Sequence, residues 1–165
     1  MELIEAIKRR RSERSYGNQK IERGTLEELV DAARLAPTAR GEEPWEFVVI
    51  QSEKTLGRLA DFAPNGAFLK GAAAAIAVFC RDTTYYLEDG CAATENILLA
   101  ATSRDIGSCW IAGDKKPYAD KVRELLGGPS GMKLVSLIAL GYRSGAEGLK
   151  KERRSLADVI HWGCF

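Results

Sequence analysis

The chain has 165 residues, 45% of them hydrophobic, and its 24 Lys plus Arg nearly balance 23 Asp plus Glu, leaving a formal net charge of +1. That length suits one compact domain over residues 1–165, and the near-neutral balance argues against a nucleic-acid partner gripped through backbone phosphates. No stretch reads as a secretory leader or reaches the roughly eighteen apolar residues needed to span a bilayer, so a cytoplasmic protein with no membrane partner is expected.

Leu3, Ile4 and Ile7 recur at helical spacing, so an opening helix is expected to bury one face. It runs into Lys8-Arg9-Arg10-Arg11-Ser12-Glu13-Arg14-Ser15-Tyr16. Guanidinium forks are planar, permanently charged and donate two parallel hydrogen bonds, which suits phosphate, and Ser12 adds a neutral donor. The same run also fits a solvated helix end, where cations complement the dipole.

A second helix is marked by Thr25 and Glu28, spaced as a capping box, by Leu26, Leu29, Val30 and Ala33 on one face, and by Pro37 at its end. The loop from Ala36 to Pro44 has a proline at each end of its central residues, and Gly41 lets the backbone approach a ligand. An ordinary helix-to-strand connection fits the same residues. Trp45 to Ile50 reads as a strand, and Ser52 as the cap of a short helix containing Leu56, Leu59 and Phe62 that Asn65-Gly66 breaks.

Ala72 to Cys80 is apolar enough for a buried strand. From Tyr85 to Arg104 runs the longest helix, with Leu87, Cys91, Thr94, Leu98 and Ala101 in period, central to the fold or to a dimer interface. Asp105 to Gly113 holds a short strand between glycines. Asp114 is positioned to cap a helix that opens at Lys116-Pro117, buries Val122, Leu125 and Leu126, and stops at Gly127-Gly128-Pro129. Lys133 to Gly141 is the clearest strand.

After Lys150-Lys151-Glu152-Arg153-Arg154 come a short segment, Ser155 to Ile160, and the aromatic end His161-Trp162-Gly163-Cys164-Phe165. Such an end is expected to dock on its own domain or on a second copy, with His161 packing beside Trp162. Cys80, Cys91, Cys109 and Cys164 are too scattered for a metal site and read as reduced, buried thiols; Cys109 has no cation beside it in sequence. Neither a Gly-x-Gly-x-x-Gly nor a Gly-x-x-x-x-Gly-Lys loop occurs. The fold class is therefore α+β, a mixed, mainly antiparallel sheet flanked by helices.

Taken in order, Arg10-Arg11-Ser12-x-Arg14-x-Tyr16, Ala36-Pro37-Thr38 with Pro44-Trp45, and Gly107-Ser108-Cys109-Trp110-Ile111-x-Gly113 resemble the nitroreductase-like family of FMN oxidoreductases. The likeness continues through Asn96 to Ala101, Leu140-Gly141-Tyr142 and Lys151-x-Arg153. It implies an intertwined homodimer with an FMN in each of two interface clefts. Arg10 and Ser12, with Arg11 between them, would hold the flavin phosphate, and Lys151 and Arg153 would form a second phosphate pair. Arg14 would lie at the pyrimidine edge and Thr38 and Gly41 beside the ring. Trp110, Ile111, Ala112 and Gly113 would line it, the last two through amides facing N5 and O4.

The implied activity is hydride transfer from NADH or NADPH through the flavin to a nitroaromatic, quinone or similar small-molecule electron acceptor, in ping-pong order. No side chain acts as a catalytic nucleophile, in keeping with the lack of a Ser-His-Asp or Cys-His set. Reductive dehalogenation, flavin breakdown or a non-enzymatic flavin-binding dimer are alternatives on the same fold. Gly41 and Glu43 stand where many relatives carry Asn and Gln, and Glu43 is expected to turn outward or to pair with a cation such as Arg40.

Overall fold

The computed structural model describes residues 1–145 and 152–165. Four strands, Trp45–Ile50 (β1), Ala74–Cys80 (β2), Ile106–Ala112 (β3) and Lys133–Tyr142 (β4), form one sheet in the order β1-β2-β4-β3. All three pairings are antiparallel, and the parallel component is an isolated bridge between Ser12 and Ser108. The helices are Leu3–Arg9 (α1), Arg23–Arg34 (α2), Glu53–Phe62 (α3), Tyr86–Ser103 (α4) and Ala119–Leu125 (α5), with 3-10 turns at Pro64–Gly71 and Leu156–Asp158.

Both faces of the central strands are covered, which is why β2 and β4 read as unbroken apolar runs. Ile76, Val78 and Ile138 face α2 and α4, where they meet Leu26, Leu29, Ile97 and Leu98. Ala75, Ala77, Phe79 and Leu137 face the other way, against Leu56 and Leu59 of α3 and Leu69 of the 3-10 turn. Each large side chain buried in this way contributes about 1.5–3 kcal/mol. On α4, a Cβ at Gly90 would meet Val135 Cγ2 at 2.6 Å and Cys80 Sγ at 3.0 Å. Glycine there gives up about 0.5–1 kcal/mol of helix propensity and lets α4 sit against the sheet.

Several local expectations change. Thr25 does not cap α2: its N-cap is Glu22, with no side-chain cap bond, and Glu28 instead pairs with Arg104, just past the end of α4, at 2.6 Å. The helix starts two residues before Thr25, so Thr25 falls inside its first turn. Asp114 does not cap α5 either, because the chain makes a turn first and the helix begins only after Tyr118. Ser52 does cap α3, accepting from the Thr55 N–H at 3.4 Å.

The opening helix buries Ala6, not the aliphatic stripe: Leu3, Ile4 and Ile7 are 64%, 60% and 48% exposed. The C-terminal segment 152–165 is exposed throughout and does not dock on its own domain. His161 packs against Phe165, with ring centroids 4.5 Å apart, while Trp162 stands in solvent. Of the four free cysteines Cys80 and Cys109 are buried, Cys91 is half-buried and Cys164 is exposed because it belongs to that tail. No helix among the described residues is long and apolar enough to cross a membrane.

Candidate functional site

β3 is an edge strand, and the chain from Arg10 to Gly17 is laid against its start. Glu13 N–H donates to Ser108 O at 2.9 Å and Gly17 N–H to Tyr142 O at 2.8 Å, with a further bridge between Tyr16 and Arg143. Inward-pointing side chains fix the segment. Glu13 is buried, 3.5 Å from the Arg143 guanidinium, and Tyr16 donates its hydroxyl to Glu13 O at 2.5 Å. Two glycines make room: a Cβ on Gly107 would come within 3.0 Å of Glu13 Cβ, and one on Gly141 within 2.8 Å of the Tyr16 ring.

With Glu13 turned in, Arg10, Ser12 and Arg14 are left on the outside. Burial pushes the Cys109 thiol up, while Arg14, the Ser12 hydroxyl and Arg10 pull it the other way. Cys109 is buried, as expected, and the cations that act on it come from a segment distant in sequence. Neither arginine is tightly held. Arg10 Nε lies 3.8 Å from Glu95, and Arg14 reaches its own neighbour Ser12 O at 3.5 Å while stacking 5.8 Å over Phe68. Arg11 differs: its Nη1 donates to the carbonyls of Lys8 and Arg10 at 2.7 and 2.8 Å, closing the end of α1.

At the far end of β3 the backbone decides what is available. Antiparallel pairing alternates hydrogen-bonded with outward-facing residues. Gly113 N–H donates to Val135 O at 2.9 Å, so in this register Ala112 and Trp110 direct their amides to the free edge. Of the two amides expected to face a ring, Ala112's is open and Gly113's is already bonded. Gly113 is required by packing, since a Cβ would meet Leu134 Cγ at 2.5 Å. Ile111 buries its side chain in the core and in this register turns its backbone to β4, while Trp110 is half-buried against the opposite core. Ala112 lies four residue steps along the strand from Ser108, about 13 Å.

The Ala36 to Pro44 loop, which carries the half-buried Thr38, is held by residues that the sequence did not single out. Asp89, 3% exposed in the first turn of α4, accepts from Ala39 N–H at 2.9 Å. Arg81 donates to Glu42 O at 2.6 Å and to Glu43 O at 3.4 Å, and Arg40 stacks 5.3 Å over Tyr85. Glu43 is exposed, as expected, at φ +43°, and Gly41 takes φ +67°. One turn earlier on α4, Tyr86 donates to Asp114 at 2.5 Å, a bond that pushes its phenol up to about 12. The first turn of α4 thus fixes both this loop and the turn leaving β3. Nothing in the sequence sets Asp89 apart from its neighbour Glu88 or from Glu95 on the same helix.

Arg153 is exposed and, among the described residues, has no hydrogen bond or ion pair; Lys151 lies outside the described residues. No group of three or more His, Cys, Asp or Glu among the described residues is placed to hold a metal. The donors gathered here, two guanidinium groups, a hydroxyl and an open strand edge, suit an anionic ligand with an acceptor-rich flat portion.

The model of the Nitroreductase family matches residues 7–88 and 81–142. A candidate NADH dehydrogenase/NAD(P)H nitroreductase of Archaeoglobus fulgidus is 38% identical over 97% of both chains. The structure is similar to an FMN-dependent nitroreductase from Clostridium difficile, with a TM-score of 0.87 and 31% identity, covering 98% of this chain and 99% of that one. It is equally similar, TM-score 0.87, to a candidate nitroreductase of Desulfovibrio desulfuricans solved in complex with FMN, at 26% identity over 99% and 97% of the two chains.

Proposed function

Because this chain belongs to the nitroreductase family, we propose that it binds FMN along the free edge of β3 and passes electrons from NADH or NADPH to a small acceptor. The observation that carries this reading is that the segment bearing Arg10, Ser12 and Arg14 is bonded to Ser108 at one end of a strand whose other end leaves the Ala112 amide open. Arg10 and Ser12 hold the phosphate. Arg14, stacked on Phe68, sets a positive charge toward the pyrimidine edge, where negative charge accumulates on reduction. Ala112 N–H donates to the ring, and the loop bearing Thr38 and Gly41 walls it. Lys151 and Arg153 supply a second phosphate pair.

When bound, FMN supplies the two-electron redox chemistry. The protein binds, orients and excludes water. No side chain is asked to form a covalent bond, and nicotinamide and acceptor, a nitroaromatic or quinone, use one cleft in turn with ping-pong kinetics. The working unit is a homodimer of single domains in the cytoplasm. Its support is the uncovered aliphatic face of α1 together with the tail carrying Leu156, Trp162 and Phe165, 74%, 85% and 106% exposed.

Protein reconstituted with FMN and mixed anaerobically with NADH or NADPH is expected to lose the absorption band of the oxidised flavin, then recover it on adding a nitroaromatic or quinone. A band that neither nicotinamide changes contradicts the proposal.

A further inference from the structure

We propose that the hollow of about 300 Å³ between the end of α3 and the turn into α5 binds a phosphate group of the nicotinamide donor. The inference rests on the NAD(P)H reading above and deepens it. The hollow is lined by Phe62, Pro64, Asn65, Lys116, Tyr118 and Lys121. Its position ties it to the flavin edge: Tyr118 donates its hydroxyl to the Ala112 carbonyl, and a Cβ on Gly66, next to Asn65, would touch Ile111 at 3.3 Å.

Charge points the same way. Lys116 and Lys121 are exposed, and Arg58 lies 6.0 Å over the ring of Phe62. Among the described residues none of the three has a carboxylate within ion-pair distance. The nearby acids are engaged elsewhere, Asp61 by Lys70 at 2.8 Å and Asp120 by Arg123 at 3.4 Å. In a chain of net charge +1 this is a local excess of cations around an aromatic wall. The volume is at the low end for ligand pockets, so it suits one phosphorylated fragment and not a whole dinucleotide. Pro64 and Pro117 stiffen its rim, which lowers the ordering cost of binding.

Two phosphates of the donor share this chemistry: the 2′-phosphate found only in NADPH and the pyrophosphate common to NADPH and NADH. The test uses FMN-loaded protein and the Lys116→Gln/Lys121→Gln double variant. Equilibrium binding is measured with hydride-inert tetrahydro-NADPH and tetrahydro-NADH, and flavin reduction is followed with the phosphate-free donor N-benzyl dihydronicotinamide. The variant is expected to bind tetrahydro-NADPH about tenfold more weakly and to be reduced by the phosphate-free donor at the wild-type rate. A loss confined to the NADPH analogue assigns the 2′-phosphate; an equal loss for both analogues assigns the pyrophosphate. Lys115→Gln, whose ammonium pairs with Asp114 at 3.8 Å and does not line the hollow, is expected to bind as wild type.

Unchanged affinities in the double variant overturn the proposal, as does an equal loss in Lys115→Gln or an equal loss of rate with the phosphate-free donor. Wild-type flavin that no nicotinamide reduces overturns the donor reading, and this site with it. Wild-type flavin reduced normally alongside an unaffected double variant overturns this site alone.

Discussion

Asp89 and Ala39 are joined by a hydrogen bond of 2.9 Å between a carboxylate buried in the first turn of α4 and a backbone N–H fifty residues earlier. Breaking it leaves the Ala39 donor without its partner, which costs about 1–3 kcal/mol. Asp89→Ala is therefore expected to lower stability by that amount in urea unfolding and to weaken FMN binding by releasing the loop. Asp89→Asn, which keeps an acceptor, is expected to recover most of both.

Arg10 and Arg11 are neighbours with different work. A charge-assisted hydrogen bond is worth about 1.5–3 kcal/mol, so Arg10→Ala and Arg14→Ala are each expected to weaken FMN roughly tenfold to a hundredfold in a fluorescence titration. Arg11→Ala is expected to shift FMN affinity less than threefold, since its Nη1 is committed to the Lys8 and Arg10 carbonyls. An Arg11 effect as large as that of Arg10 would mean that the side chain turns to the ligand.

Gly113→Ala drives a methyl into Leu134, whose Cγ would lie 2.5 Å away. Overpacking of this kind costs about 1–3 kcal/mol. The loss is expected in the FMN-free protein as fully as in the loaded one, measured by denaturant unfolding. Destabilisation only in the loaded form would assign Gly113 to ligand approach instead of packing.

The exposed Ile4 and Ile7 of α1 predict a mass effect. Ile4→Glu/Ile7→Glu, or removal of residues 156–165, is expected to convert a dimer to a monomer in light scattering and to release FMN. Wild type that is monomeric at micromolar concentration would contradict the dimer.

Three tyrosines give a pH signature. Burial raises Tyr16 and Tyr118, and the bond to Asp114 raises Tyr86 to about 12. A phenol whose folded value is raised stabilises the fold below the unfolded value of 10.0 and loses that contribution as pH climbs from there through the folded value. Stability is thus expected to fall above pH 10, with tyrosinate absorbance for these three appearing only as the fold is lost. Removing the Tyr86 bond through Asp114→Ala should bring part of that absorbance to lower pH.

The strands were legible because β2 and β4 are buried on both faces, so Ala74 to Cys80 and Leu134 to Leu140 carry no polar interruption beyond Ser136. The donor set at Arg10, Ser12 and Arg14 was legible as a cluster of charge. What stayed hidden depends on partners distant in sequence. Asp89 acquires its role from Ala39, and Arg81 from the carbonyls of Glu42 and Glu43, and neither pairing has a local pattern. The state of the Gly113 amide follows from strand register, which hydrophobicity alone does not fix. The stripe of Leu3, Ile4 and Ile7 was legible as a face that seeks cover, but the chain itself leaves it exposed, because periodicity does not say which surface provides the cover.

The account stands most directly on a crystal structure of the protein grown with FMN. It predicts the phosphate in contact with the Arg10 guanidinium and the Ser12 hydroxyl, and the ring edge receiving the Ala112 N–H. A phosphate bound away from Arg10 and Ser12, or a ring that does not meet the open edge of β3, would contradict it.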